Sequence, residues 1–330
     1  MEHPYLLFLG NAKDQLAAKT AQGVADWRPE WCVGQLRLEG CKADLGIPDL
    51  TLPEAAEKGA KTLLIGVVNP GGVMNNDWTT VLVDALAAGL DIASGLHSPL
   101  SDTRKLAQAA EKHGRKLIDV RISDQHLDTG TGVKRSGKRV LTVGTDCSLG
   151  KKYTALALEK EMRAQGFDAD FCATGQTGVM IAGRGLAIDA VVADFISGAA
   201  EWISPEADPD HWHVIEGQGS LFHPAFAGVS LGLLHGSQPD ALVLCHEPTR
   251  TNMRNLPGHP IPGLQECMDL NLTAARLTNK NVRFVGISVN SSELDDAARK
   301  KYLTETEEKY GLPCADPLIE GMGRIVENLS

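Results

Sequence analysis

Arg139-Val-Leu-Thr-Val-Gly-Thr-Asp-Cys-Ser-Leu-Gly-Lys-Lys-Tyr153 passes from an apolar strand into a short polar loop and then, at Gly150-Lys151, into a strongly helical segment. Strand, loop and helix in that order make an anion cradle. Consecutive backbone N–H groups converge on phosphate oxygens, and the helix points its positive end at the same place. Gly150 permits close backbone approach and Lys151 supplies a point charge. Thr145 stands where the first glycine of a phosphate-binding loop would stand, at the right distance from Gly150-Lys151. The expected phosphate-holding residues are therefore Thr145, Asp146, Cys147, Ser148, Leu149, Gly150, Lys151, Lys152 and Tyr153.

One departure from the pattern carries chemistry. Lys152 follows Lys151, where nucleotide hydrolases place a Ser or Thr that holds Mg²⁺. An ammonium repels a divalent ion and adds positive charge for a phosphate. Either Thr154 or Ser148 supplies a substitute hydroxyl, or no catalytic magnesium sits here; the second reading is favoured, and no metal is expected.

Outward from this stretch, short apolar runs alternate with helical patterns, the mark of βαβ units and a mostly parallel sheet. Before it, strands are expected at Tyr5–Gly10, Trp31–Leu36, Thr62–Val68, Asp91–Ala93 and Lys116–Val120, with helices over Trp78–Ala88 and Asp102–His113. After Arg139–Val143, strands are expected at Ala169–Ala173, His213–Glu216, Asp240–Cys245 and Val282–Val289. Helices are expected over Lys151–Gln165, Gly263–Thr278, Ser292–Tyr310 and Pro317–Leu329. The polar, glycine-rich DTGTGVKRSGK of Asp128–Lys138 lacks apolar periodicity and reads as a linker. The expected fold is α/β with two doubly wound domains. A Rossmann-like domain spans residues 1–128, a linker 129–138, and a P-loop NTPase-like parallel sheet 139–330.

Composition fits this picture: 43% of the 330 residues are hydrophobic and 22% charged, enough for two cores without staples. The net charge of −10 and the absence of a dense basic run argue against a nucleic-acid partner. An anionic ligand must then be gathered by a local basic site. Seven cysteines without a C-x-x-C pair suit reduced thiols and a cytoplasmic location. No window is apolar and long enough for a spanning helix, so no membrane partner is expected. Two doubly wound domains leave surfaces for self-association, and a homo-oligomer is expected.

Further motifs follow strands. His213-Val-Ile-Glu-Gly-Gln-Gly-Ser-Leu221 places Glu216 at the carboxyl end of a parallel strand, facing the ligand crevice of a doubly wound sheet. Glu216 is a candidate general base or metal ligand. Asp194, in Val-Val-Ala-Asp-Phe, is either an interior acid with a raised pKa or a surface charge. The glycine-punctuated loop Ala173–Gly183 suits wrapping a ligand. Cys245-His-Glu-Pro-Thr-Arg-Thr-Asn-Met-Arg254 brings Arg250, Asn252 and Arg254 near the same edge, where a guanidinium fork would hold a substrate carboxylate. Asn69 and His97, after strands of the first domain, are candidates to close over a ligand between the domains. His211 and His213 share a strand face, but no third metal ligand stands at a sensible spacing in sequence.

Gly144-Thr-Asp-Cys-Ser-Leu-Gly-Lys151 together with Ile215-Glu-Gly-Gln-Gly219 resembles the loop and strand end of dethiobiotin synthetase-type proteins, over the C-terminal half. Over its whole length, including Asn69-Pro-Gly-Gly72 and Gly217-Gln-Gly-Ser-Leu-Phe-His-Pro224, the chain is similar to a bacterial two-domain family. That family joins a Rossmann-like domain to a P-loop domain and includes D-glutamate (D-amino-acid) N-acetyltransferases. The resemblance implies acetyl transfer from acetyl-CoA to the amino group of a D-amino acid. For such a transfer Glu216 or Asp194 is the candidate base, Asn252 or loop amides the candidate oxyanion donors, and Arg250 the candidate holder of the substrate carboxylate; the resemblance itself does not fix these roles. The alternatives are an ATP-dependent ligase or kinase, as the dethiobiotin synthetase likeness implies, and a non-catalytic nucleotide or CoA sensor.

Overall fold

A computed structural model describes residues 1–67, 76–123 and 125–329. The chain forms two compact units, one of residues 1–125 and 176–187, the other of residues 126–175 and 188–330.

The first unit is built on five parallel strands, β1 (Tyr5–Gly10), β2 (Cys32–Arg37), β3 (Thr62–Ile65), β4 (Asp91–Ser94) and β5 (Leu117–Asp119), in the order β2-β1-β3-β4-β5. Every residue of β1, β3 and β4 is buried, as expected of parallel strands covered on both faces. Helices α1 (Lys19–Trp27), α2 (Leu52–Glu57), α3 (Asn76–Ala87) and α4 (Arg104–His113) complete the crossovers. Thr51 opens α2 with a capping box to Glu54, which satisfies the orphan N–H groups of its first turn.

The second unit carries six parallel strands: β6 (Lys138–Gly144), β7 (Ala169–Cys172), β8 (Trp212–Ile215), β9 (Ala241–His246), β10 (Arg283–Val289) and β11 (Cys314–Ala315). Their order is β11-β10-β9-β6-β8-β7. Helices α5 (Lys151–Ala164), α7 (Ile196–Ile203), α8 (Ala227–Ser237), α9 (Leu264–Ala275), α10 (Asp296–Tyr310) and α11 (Gly323–Glu327) belong to it, whereas α6 (Gln176–Ala182) belongs to the first unit. Strand β6 lies between β8 and β9: the chain builds β7 and β8 on one side of it, then crosses over to build β9, β10 and β11 on the other. That is the switch point of the sheet, where the carboxyl ends of neighbouring strands diverge and leave a crevice.

Two boundaries differ from those read in the sequence. Residues 126–138 are not a free tether, because polar side chains stitch their backbone to the second unit. Glu201 accepts from the N–H groups of Thr131 (2.9 Å) and Gly132 (3.1 Å), and Lys134 donates to Asp240 at 2.9 Å. Arg135 donates to the Gly236 carbonyl at 2.9 Å. The absence of apolar periodicity reflected polar anchoring. Residues 176–187, inside the expected second domain, pack in the first unit, where α6 lies against α1 with Val179, Met180 and Ile181 buried. No helix among the described residues is long and apolar enough to cross a membrane.

Candidate functional site

Three loops leave the carboxyl ends of β6, β8 and β9 side by side. The first, Thr145–Gly150, turns into α5 through Ser148 (φ +54°) and Gly150 (φ +102°), left-handed positions that glycine adopts freely and serine rarely. Lys151 is buried, and its Nζ donates to the Asp146 carbonyl at 2.7 Å. Burial lowers its pKa, as expected of an ammonium taken out of water.

Asp146 ties this loop to the one after β9. Its Oδ2 accepts from the Arg250 guanidinium at 2.9 Å and from the Arg254 N–H at 2.8 Å, and Oδ1 accepts from the Cys147 N–H at 2.7 Å. Burial alone would raise its pKa, but these donors outweigh burial and hold it below the usual carboxylate range. Arg250 also donates to the carbonyls of Cys147 (2.7 Å) and Ser148 (3.2 Å) and to Glu247 at 2.6 Å. The guanidinium expected to hold a substrate is thus engaged in bracing the loop. Asn252 is exposed and donates to Thr251, whereas Arg254 is exposed and its guanidinium has no partner among the described residues. His246, at the end of β9, shares a 3.0 Å hydrogen bond with the Thr145 hydroxyl. Its pKa falls to about 4 through burial and then the nearby Arg250 charge, so the imidazole is neutral at physiological pH.

Glu216 follows β8 and is buried. Its Oε2 accepts from the N–H groups of Thr174 (3.0 Å) and Gly175 (3.1 Å), the two residues that follow Ala173 after β7. Burial raises its pKa, against the opposing pull of the Lys152 charge, the two N–H donors and Lys151. Oε1 accepts no hydrogen bond from the described residues and is the atom open to a proton. Gly217 has no room for a side chain, since a Cβ there would lie 1.6 Å from the Thr142 carbonyl oxygen. Ser220 closes the junction by donating to the Thr145 carbonyl at 3.2 Å.

Thr145, Asp146, Lys151, Glu216 and Arg250 are thereby gathered into one constellation at the switch point. Leu149 is buried in the same loop, Cys147 is half-buried and Ser148 exposed. Lys152 lies with its Nζ 4.3 Å from the centre of the Tyr153 ring. The Thr154 hydroxyl is buried at 2.7 Å from that of Ser288, so it does not substitute for the missing Walker hydroxyl. Asp194 is exposed on the turn before α7 and shares no hydrogen bond with Glu216 or the loop among the described residues; the interior-acid reading fails because its apolar neighbours do not enclose it. His97 is exposed after β4 in the first unit, and Asn69 lies outside the described residues. The sequence does not single out His246 or Ser220, and marks Thr174 and Gly175 only as part of the Ala173–Gly183 loop; their roles arise from contacts between loops distant in sequence.

Asp146, Cys147 and His223 bring potential metal-ligating atoms within 4.8 Å of one another. Both Asp146 oxygens already accept hydrogen bonds, one of them from a guanidinium, and a cation there would face Arg250. The donor set does not suit a metal.

The P-loop domain model of the DUF1611 family, described as a domain of unknown function, matches residues 126–326, and its Rossmann-like companion matches residues 36–123. A D-glutamate N-acetyltransferase of Tritonibacter scottomollicae is 54% identical over 330 residues, covering 100% of this chain and 99% of the relative. One from Pseudoalteromonas is 52% identical over 326 residues, covering 99% and 98%. A crystal structure of a DUF1611 family protein from Anabaena variabilis superposes with a TM-score of 0.87 at 33% identity, covering 99% of each chain.

Proposed function

The chain belongs to the DUF1611 family, and from that premise we infer that it is an N-acetyltransferase moving the acetyl group of acetyl-CoA to the amino group of D-glutamate. The observation that carries this reading is full-length identity above one half to D-glutamate N-acetyltransferases of two bacteria. The ligase or kinase alternative draws on a loop likeness confined to the C-terminal half, and the loop has Lys152 where such enzymes hold magnesium.

For the site itself we propose the following division of labour. The backbone of Thr145–Gly150, with Lys151 and Lys152, holds phosphates of coenzyme A. Lys151 exchanges the Asp146 carbonyl for a phosphate oxygen when the ligand arrives. Glu216 removes a proton from the D-glutamate ammonium through Oε1, and the freed amine attacks the thioester carbonyl. The C–S bond breaks as the tetrahedral intermediate collapses, and the coenzyme A thiolate takes up a proton. Burial favours a base of raised pKa, which binds a proton more readily than a solvated carboxylate. Arg254, not the engaged Arg250, is the guanidinium placed to meet a substrate carboxylate, with Asn252 or loop amides as oxyanion donors. We place the protein in the cytoplasm, where acetyl-CoA is found and where its seven free thiols stay reduced. We also propose that it self-associates.

Purified protein given acetyl-CoA and D-glutamate should release free thiol and form N-acetyl-D-glutamate, with L-glutamate turned over far more slowly. ADP release from ATP in place of thiol release would return the assignment to the ligase class.

A further inference from the structure

Gln218 is half-buried on the loop that leaves β8, two residues beyond Glu216. Its Nε2 lies 2.9 Å from the Thr174 hydroxyl, which in turn lies 2.6 Å from the Glu216 carbonyl oxygen. A carbonyl only accepts, so the single hydroxyl proton of Thr174 goes to Glu216. Thr174 Oγ1 must then accept from Gln218, and the atom facing it is the amide nitrogen, not the amide oxygen. The carboxamide is thereby fixed. One N–H of Nε2 is committed to Thr174, and the other has no acceptor among the described residues. The backbone beneath is held as well, since Ser230 donates to the Gln218 carbonyl at 2.9 Å.

Gly175 shows what Nε2 borders. A Cβ at 175 would lie 3.0 Å from Gln218 Nε2 and 3.2 Å from Glu216 Oε1. The amide nitrogen and the unpaired carboxylate oxygen thus flank the same space, and Gly175 keeps it clear of side chain. The backbone donors around Glu216 are already committed. The N–H groups of Thr174 and Gly175 serve Oε2, that of Glu216 serves the Cys172 carbonyl, and that of Gly217 serves the Thr142 hydroxyl. Asn252 donates to Thr251 and shares no hydrogen bond with this loop among the described residues.

Acyl transfer to an amine needs a proton acceptor at the nitrogen and a hydrogen-bond donor at the thioester oxygen, and both atoms end on one carbon in the tetrahedral intermediate. An acceptor and a donor flanking one space match that demand. We infer that Gln218 is the oxyanion donor of the site, its second Nε2–H meeting the thioester oxygen while Glu216 Oε1 frees the attacking amine. The inference rests on the acetyl-transfer reading and selects the donor within it. Gln218 exchanges no proton. The ammonium gives one to Glu216, the N–C bond forms, and negative charge gathers on the oxygen beside Gln218. The C–S bond then breaks, the carbonyl reforms, and the surplus proton on nitrogen passes to the thiolate.

Q218M, close to glutamine in length and unable to donate, tests this in the full chain by thiol release from acetyl-CoA with D-glutamate. Its kcat should fall at least ~10-fold, toward the 10²–10³ typical of a lost oxyanion donor, with the KM of each substrate within ~3-fold of the unmodified chain. The acidic limb of the pH–rate profile should stay in place, because one neutral side chain replaces another beside Glu216. A smaller fall in kcat overturns the inference. So does a raised KM for D-glutamate at unchanged kcat, which makes Gln218 a carboxylate holder, or a displaced acidic limb with its plateau restored, which makes it act through Glu216. Should Q218M fail to fold, Q218E, nearly isosteric, must show the same loss of kcat at neutral pH. Absence of thiol release from the unmodified chain strikes the acetyl-transfer reading and this inference with it, whereas normal turnover by a folded Q218M strikes the inference alone.

Discussion

Glu216 is one carboxyl with two unlike oxygens. Oε2 is fixed by two backbone N–H groups, and Oε1 accepts no hydrogen bond from the described residues. E216Q should lower kcat by roughly 10²–10⁴, the usual worth of a positioned base, with little change in the KM for acetyl-CoA; an unchanged kcat removes Glu216 from the role. Because burial lifts its pKa and a base acts deprotonated, kcat/KM should climb with pH through that pKa and then level. The acidic limb should vanish in E216Q, as a pH–rate series would show. The two arginines separate by a second comparison. R254A should raise the KM for D-glutamate at least ~10-fold in a folded protein. R250A should lower thermal stability, since it strips a buried carboxylate of its charge partner. The sequence exposed Glu216 and Lys151 because each stands at a strand end or in a spaced motif. It did not distinguish Arg250 from Arg254, since only the fold reveals that Asp146, far away in the chain, consumes the first.

At the scale of the element, the junction of β6 and β8 is so close that Gly217 is the one residue type that fits. G217A should cost at least ~3 kcal/mol, the high end of core overpacking, because the clash is with backbone and not with a movable side chain. Chemical denaturation checks this, and a loss below ~1 kcal/mol contradicts the packing described. All strands but the two-residue β11 were legible, because parallel strands covered on both faces are written as unbroken apolar runs, as in Tyr5–Gly10 and Ala241–His246. Helix α8, AGVSLGLLHGS, was not, since its glycines and its lack of a polar face hide the helical period. Likewise Thr131, Lys134 and Arg135 looked like linker because their partners, Glu201, Asp240 and Gly236, are distant in sequence.

At the scale of the molecule, the chain passes between its two units three times, after residues 125, 175 and 187. Residues 126–330, which would be cut out as a P-loop domain, carry a helix whose buried side chains belong elsewhere. Expressed alone, this fragment should expose Val179, Met180 and Ile181 at ~1.5–3 kcal/mol each. It should bind a hydrophobic dye and aggregate, whereas the full chain stays dispersed. A monodisperse fragment with native-like unfolding would show that α6 is dispensable. The two-domain division was readable because the apolar strand runs cluster before and after Asp128–Lys138. The exchange of residues 176–187 was not, because nothing in the local pattern of a glycine-flanked helix says which sheet it will cover.

That threefold passage has a meaning for descent. A gene whose halves meet at one seam can lend either half to another lineage by a single recombination. Here any single crossover leaves a segment stranded from the unit it completes, so the pair must be inherited together or lost together.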